Sequence, residues 1–225
     1  MLDDGDVHQQ VMAHILATGR APAISELAMS LTADENDVAA ALRRLHDGHG
    51  LVLHAGGDSI WIAHPFALWP TPFLVRRGDV TWWGNCAWCS FGIAALAGDV
   101  TIVTRLGAED ERAELRVTNG RLDNEGYVVH FPTPPARAWE NVVYFCGTTL
   151  LFRNGAEVEA WCARHGIARG AVVPAAQVLA MAKAWYGSHL APRWRKWTVA
   201  EAQSIFEKAE LTGSFWELPK STGRF

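Results

Sequence analysis

The chain has 225 residues, 49% of them apolar, enough to bury a sizeable core in one large domain or in a small domain joined to a medium one. A formal net charge of −4 and four cysteines argue against a strongly basic nucleic-acid binder, an anionic-membrane binder and a disulfide-rich secreted scaffold. No apolar run reaches the roughly 18 residues of a membrane span, and the acidic start "MLDDGDVHQQVMAH" lacks a signal-peptide pattern; the expectation is a soluble cytoplasmic protein with reduced thiols and no membrane partner.

Val7, Val11 and Ile15 have the i, i+4 spacing of a buried helical stripe that Gly19 ends. A second short helix is expected over Ile24 to Leu31. Thr32-x-x-Glu35 reads as a capping box opening a third helix that carries Val38, Ala41, Leu42 and Leu45. "LVLHAGGDSIWIAH" then gives two strands around a Gly-Gly-Asp turn. Three helices and a two-stranded wing predict a winged-helix-like domain over residues 1–65. DNA binding is nevertheless disfavoured, because this stretch holds nine Asp/Glu against three Lys/Arg and affinity for nucleic acid rests on cationic contacts to phosphate. A packing or lid role is expected instead.

"PFALWPTPF", with three prolines, predicts a linker at 65–73. Beyond it, "DVTWW", "DVTIVTRL", "ELRVT" and "GYVVHF" read as strands, with a turn at Asn119-Gly120. "NVVYFCGTTLLF" reads as a further strand bearing Cys146. Asn154-x-x-Glu157 predicts a capped helix holding Cys162 and ending at Gly166. Pro174 opens another helix running to about Leu190, and Thr198-x-x-Glu201 opens a last one. The fold class is therefore α+β: the N-terminal domain, a core of antiparallel strands with flanking helices over 66–190, and a helical C-terminal extension over 191–225.

The chemistry concentrates in "WGNCAWCSFGIAALAG" at 83–98, where Cys86 and Cys89 lie three apart. A structural zinc site wants a second such pair, and none exists. A thioredoxin-type site wants a βαβ unit, which the strand pattern does not supply. Cys89 sits where a turn enters an apolar helix, so unpaired backbone N–H groups can lower its pKa. Two thiolates converging in an aromatic, water-poor pocket suit a soft, thiophilic ion. Cys162, alone on its helix, reads as a small buried hydrophobe.

"AWCSFGIAALAG" resembles the Ala-Trp-Cys active-site segment of the alkylmercury (organomercurial) lyases, and "VVYFC" resembles their second cysteine strand. The 57-position spacing of Cys89 and Cys146, the "TPF" stretch, the helix at 156–165, "GAVVP" and the three-helix start are similar to that family over most of residues 5–190. The resemblance implies a lyase that protonates the carbon–mercury bond of an organomercurial, releasing hydrocarbon and Hg(II). It makes Cys89 and Cys146 the catalytic thiols that hold mercury transiently, with no cofactor and with handover to mercuric reductase or small thiols. An aspartate three residues after the first cysteine shuttles the proton in that family; here the position is Gly92, which can do neither half of that task. Cys86 is an added third thiol, able in principle to move a proton or to complete a three-thiolate cage.

Trp88, Ser90 and Phe91 are the pocket residues the resemblance marks. Asp99, ten residues past Cys89, is expected at the far end of the apolar helix, about a dozen ångströms off at ~1.5 Å rise per residue; Asp123, His130 and Glu140 are other acid-base groups to place, each read first as an ordinary solvated residue. Three function classes follow: a carbon–mercury lyase; a paralogue that binds Hg(II) or another soft ion without cleavage, or acts on a different substrate; and an acidic winged-helix regulator. "WYGSHLAPRWRKW" at 185–197 mixes four basic groups with four aromatics, and packing of the extension is preferred there over a nucleic-acid site.

Overall fold

The computed structural model describes residues 2–219 and 224–225. Three helices come first, α1 (Asp4–Thr18), α2 (Ile24–Leu31) and α3 (Glu35–Asp47). The Asp3 carboxylate caps α1 by accepting from the N–H of Gly5 at 2.8 Å and of Asp6 at 3.1 Å. Val7, Val11, Met12 and Ile15 point inward from α1 against Val38, Ala41 and Leu42 of α3, each large side chain contributing about 1.5–3 kcal/mol of burial. The expected Thr32 capping box does not form. Thr32 is left-handed at the end of α2, φ 52°, and Asp34 caps α3 by accepting from Asn36 N–H. Both arginines of α3 are engaged by carboxylates, Arg43 by Asp58 at 2.7 Å and Arg44 by Asp4 at 2.6 Å, which leaves that helix no free arginine to offer phosphate.

Strands β1 (Val52–Leu53), β2 (Ile60–Ala63), β3 (Phe66–Ala67), β4 (Phe73–Arg77) and β5 (Val80–Gly84) follow, then α4 (Ala87–Ala97), β6 (Val100–Arg105), β7 (Arg112–Thr118) and β8 (Arg121–Leu122). They form one antiparallel sheet in the order β1-β2-β3-β5-β4-β6-β7-β8. The proline-rich stretch expected as a linker therefore carries a strand. Phe66 and Ala67 pair with β2 on one side and β5 on the other, so the N-terminal hairpin and the later strands share one sheet. Trp82 reinforces this join, its indole N–H reaching the Ile15 carbonyl of α1 at 2.9 Å. The Asn119-Gly120 turn links β7 to β8 with both residues at positive φ, 49° and 71°.

The remaining elements are β9 (Val128–Phe131), α5 (Val142–Thr148), β10 (Leu150–Phe152), α6 (Gly155–His165), β11 (Ala171–Pro174), α7 (Ala175–Tyr186) and α8 (Val199–Lys208). β10, β9 and β11 make a second antiparallel sheet. α6 and α8 start at the residues the sequence marks: Asn154 accepts from Glu157 N–H, and Thr198 and Glu201 cap each other reciprocally.

One sequence expectation is corrected here. Cys146 lies on helix α5, not on a strand. Asn141 caps the segment through Tyr144 N–H, and Val142, Phe145, Cys146 and Thr149 fall on one helical face while Val143 and Tyr144 face water. Tertiary packing of that face overrides the β preference of Val, Tyr and Phe.

Helix α4 is buried on nearly every side, from Ala87 through Ala94, which explains its lack of a polar face. It packs against β4 and β5 and, most closely, along α7. That last approach needs Gly92: a Cβ there would stand 2.4 Å from Cδ2 of Tyr186 and 2.9 Å from Cβ of Pro65.

Candidate functional site

Three elements bring the sulfurs together. Cys86 precedes α4 as its N-cap, with its sulfur accepting from Cys89 N–H at 3.3 Å. Cys89 sits in the first turn, where the unpaired N–H groups of the helix end favour negative charge. Cys146 comes from the buried face of α5. All four cysteines are free and buried. The structure adds a residue that the sequence reading missed, His64, between β2 and β3. The ligating atoms of His64, Cys89 and Cys146 all lie within 4.8 Å of one another, with Cys146 Sγ 3.8 Å from His64 Nε2.

Tyr186, at the last position of α7, was likewise not singled out. Its hydroxyl lies 3.6 Å from Cys89 Sγ, and its ring covers Gly92. No spacing rule could have found either residue, since Tyr186 is 97 positions from Cys89 and His64 is 82 from Cys146.

The electrostatics single out Cys89. Burial alone would raise its pKa, but contacts with the Cys146 and Cys86 thiols, His64 and the Tyr186 hydroxyl outweigh burial and hold it well below the usual thiol range. Cys86 is pushed up, mainly by burial. Cys146 is pushed up by its interactions with Cys86 and Cys89 and then by burial. The cluster thus favours one thiolate, on Cys89, with its proton-bearing neighbours donating to it. Burial, against the pull of the Cys89 charge, holds the His64 pKa below its ordinary value and so favours the neutral imidazole, whose nitrogen lone pair suits a soft ion.

These groups open onto a cavity of about 80 Å³. Its wall is aromatic: Trp88 from α4, Trp139 and Phe145 from around α5, Trp185 and Tyr186 from α7, and Trp194, Trp197 and Phe225 from the C-terminal segment. The 185–197 stretch, which reads as ordinary packing in the sequence, is therefore one side of the pocket. Lys196 stands at that wall too, 5.5 Å from the Trp139 ring centre and 3.1 Å from the Gly48 carbonyl.

Of the pocket residues marked from sequence, Trp88 lines the cavity and Ser90 and Phe91 do not. Ser90 is turned back on its own helix, its hydroxyl donating to Ala87 O at 2.7 Å, and Phe91 is core. Asp99 accepts from Asn119 N–H, Asp123 from Arg116 N–H, and Glu140 pairs with Arg137. His130 is buried against the Arg169 carbonyl and Cys162. None of these four groups borders the cavity. Cys162, also off the site, has its pKa raised by burial and behaves as a packing residue.

The family model described as alkylmercury lyase matches residues 66–187. Among solved structures, the mercury-bound form of MerB2 aligns with a TM-score of 0.60 at 18% sequence identity, over 84% of this chain and 97% of that one. At that identity the likeness speaks for the fold alone. No curated protein matches the chain.

Proposed function

The chain belongs to the alkylmercury lyase family, and from that premise we propose that it cleaves carbon–mercury bonds in organomercurials, using Cys89 and Cys146. The observation that carries this reading is the convergence of two thiols and one imidazole within 4.8 Å at the end of an aromatic cavity. Sulfur and imidazole are soft donors, and a low-dielectric aromatic wall accepts the organic group of the substrate. Cys89, the favoured thiolate, attacks mercury first. Cys146 then adds, and two sulfurs pushing electron density onto the metal weaken its bond to carbon. Hydrocarbon leaves, and Hg(II) stays between the sulfurs until small thiols or a mercuric reductase remove it.

Single-turnover assays with protein in excess over phenylmercury test the assignment. Cys89→Ser and Cys146→Ser are each expected to abolish benzene release; full release by either variant overturns it. A second reading is favoured by one observation. No Asp or Glu lines the cavity among the described residues, so a paralogue that holds Hg(II) or another soft ion without cleaving anything would need no further group. Its signature is stoichiometric uptake of the mercurial with no hydrocarbon.

A further inference from the structure

Cleavage leaves one atom to assign, the proton that the departing carbon receives. Among the described residues, the acid-base side chains on the cavity, besides the two reacting cysteines, are His49, His64, Cys86, Tyr186, His189 and Lys196. Position separates them. His64 lies against Cys146, and His49 is stacked on Trp139 with ring centres 4.4 Å apart. Lys196 is bonded to the Gly48 carbonyl, and His189 sits behind the Tyr186 ring, 5.0 Å from its centre. Cys86, whose sulfur accepts from Cys89 N–H at the helix start, touches both reacting thiols and belongs to the sulfur cluster itself. Among the described groups at Cys89 Sγ, the Tyr186 hydroxyl, reaching in from α7 to 3.6 Å, is the one that is neither a thiol nor a candidate ligand of the ion.

The ring reaches that point because position 92 has no side chain. Gly92 is three residues after Cys89 on α4, hence on the same face, and a Cβ there would overlap the Tyr186 ring at 2.4 and 2.6 Å. The absence of a side chain at 92 and the presence of a hydroxyl at Cys89 are one steric arrangement.

Building on the lyase reading, we propose that Tyr186 is the catalytic acid of this protein, its phenolic O–H delivering the proton to the carbon bonded to mercury. The step balances without oxidant or reductant. Cys89 holds R–Hg through an S–Hg bond, and Cys146 sulfur bonds mercury and gives up its thiol proton. The Hg–C bond breaks with its electron pair on carbon, which takes the Tyr186 proton, and the phenolate recovers the proton released by Cys146. In sum, one thiol and one S–Hg–R unit become one S–Hg–S unit and R–H.

Tyr186→Phe tests this, since it keeps the ring packed on Gly92 and removes one oxygen. Protein is mixed with one equivalent of phenylmercury; the adduct is read by intact-protein mass and benzene by gas chromatography. The variant is expected to reach the same one-equivalent adduct as the wild type, though more slowly because the hydroxyl helps hold the Cys89 thiolate, and then to release benzene from that adduct at least about 100-fold more slowly, the contribution of a positioned general acid. Benzene release at the wild-type rate overturns the proposal and leaves the lyase reading intact. Loss of adduct formation together with release also overturns it, because that is the mark of a structural role. A wild type that forms the adduct and releases no benzene overturns the lyase reading, and the proposal with it.

Discussion

Above the Cα of Gly92 stands the edge of the Tyr186 ring rather than solvent or a side chain of its own. A methyl group there has nowhere to go: the ring is wedged between α4 and α7, and Pro65 closes the other side at 2.9 Å. Gly92→Ala is therefore expected to destabilise the protein by about 1–3 kcal/mol, the range for overpacking a core, despite the better helix propensity of alanine. Urea unfolding of the two proteins checks this; an unchanged or higher midpoint would show that the ring yields freely. The two cysteines and the vacancy at 92 are readable in the sequence, the vacancy through the resemblance, which places an aspartate three residues after the first cysteine. Tyr186 and His64 are not, because the contacts that define them join segments far apart in the chain.

Among the elements, those announced by side-chain caps follow the sequence most closely. Asn154 and Glu157, and Thr198 and Glu201, start α6 and α8 as their spacing predicts. Thr198→Ala removes the acceptor for Glu201 N–H and is expected to cost about 1 kcal/mol, as N-cap losses do. The loss would extend beyond α8, because Phe206 on that helix stacks on Trp185 at 5.6 Å, and Trp185 packs against Trp88 on the cavity wall. Thermal unfolding of Thr198→Ala with and without bound Hg(II) measures it; an unchanged midpoint in both states contradicts it. Element α5 shows where reading fails. Its Val, Tyr and Phe prefer strands in isolation, whereas Val142, Phe145, Cys146 and Thr149 repeat at helical spacing, a signal outweighed by composition in so short a stretch. Thr32-x-x-Glu35 fails for a different reason: Asp34 offers a competing acceptor one residue from the helix start and takes the cap.

At the scale of the whole molecule, the N-terminal helices, the long sheet and the C-terminal segment meet around buried histidines. His8 of α1 stacks on Trp194 with ring centres 3.5 Å apart, and His189 lies 5.5 Å from His8. Burial, and then repulsion from His189, holds His8 well below its ordinary pKa; burial, then His64, lowers His189 to about 3. The native state keeps both neutral while the unfolded chain protonates them below about 6.5. The unfolded state then binds more protons, so stability falls as pH falls from 6.5 towards 3, by up to about 1.4 kcal/mol per pH unit for each histidine. The shifted carboxylates Glu26 and Glu201, both at about 2, act only below their unfolded value near 4.5, so the window from pH 6.5 to 5 belongs to the histidines. Urea midpoints that stay constant across that window would contradict this account.

The central claim is that a thiol pair on α4 and α5 cleaves a carbon–mercury bond with no carboxylate among the described residues lining the cavity. Its most direct measurement is the yield of benzene from wild-type protein mixed in excess with phenylmercury and a dithiol acceptor. The account predicts close to one benzene per phenylmercury bound. Full binding with no benzene would contradict it, leaving a family member whose cysteines hold the ion and do no chemistry on carbon.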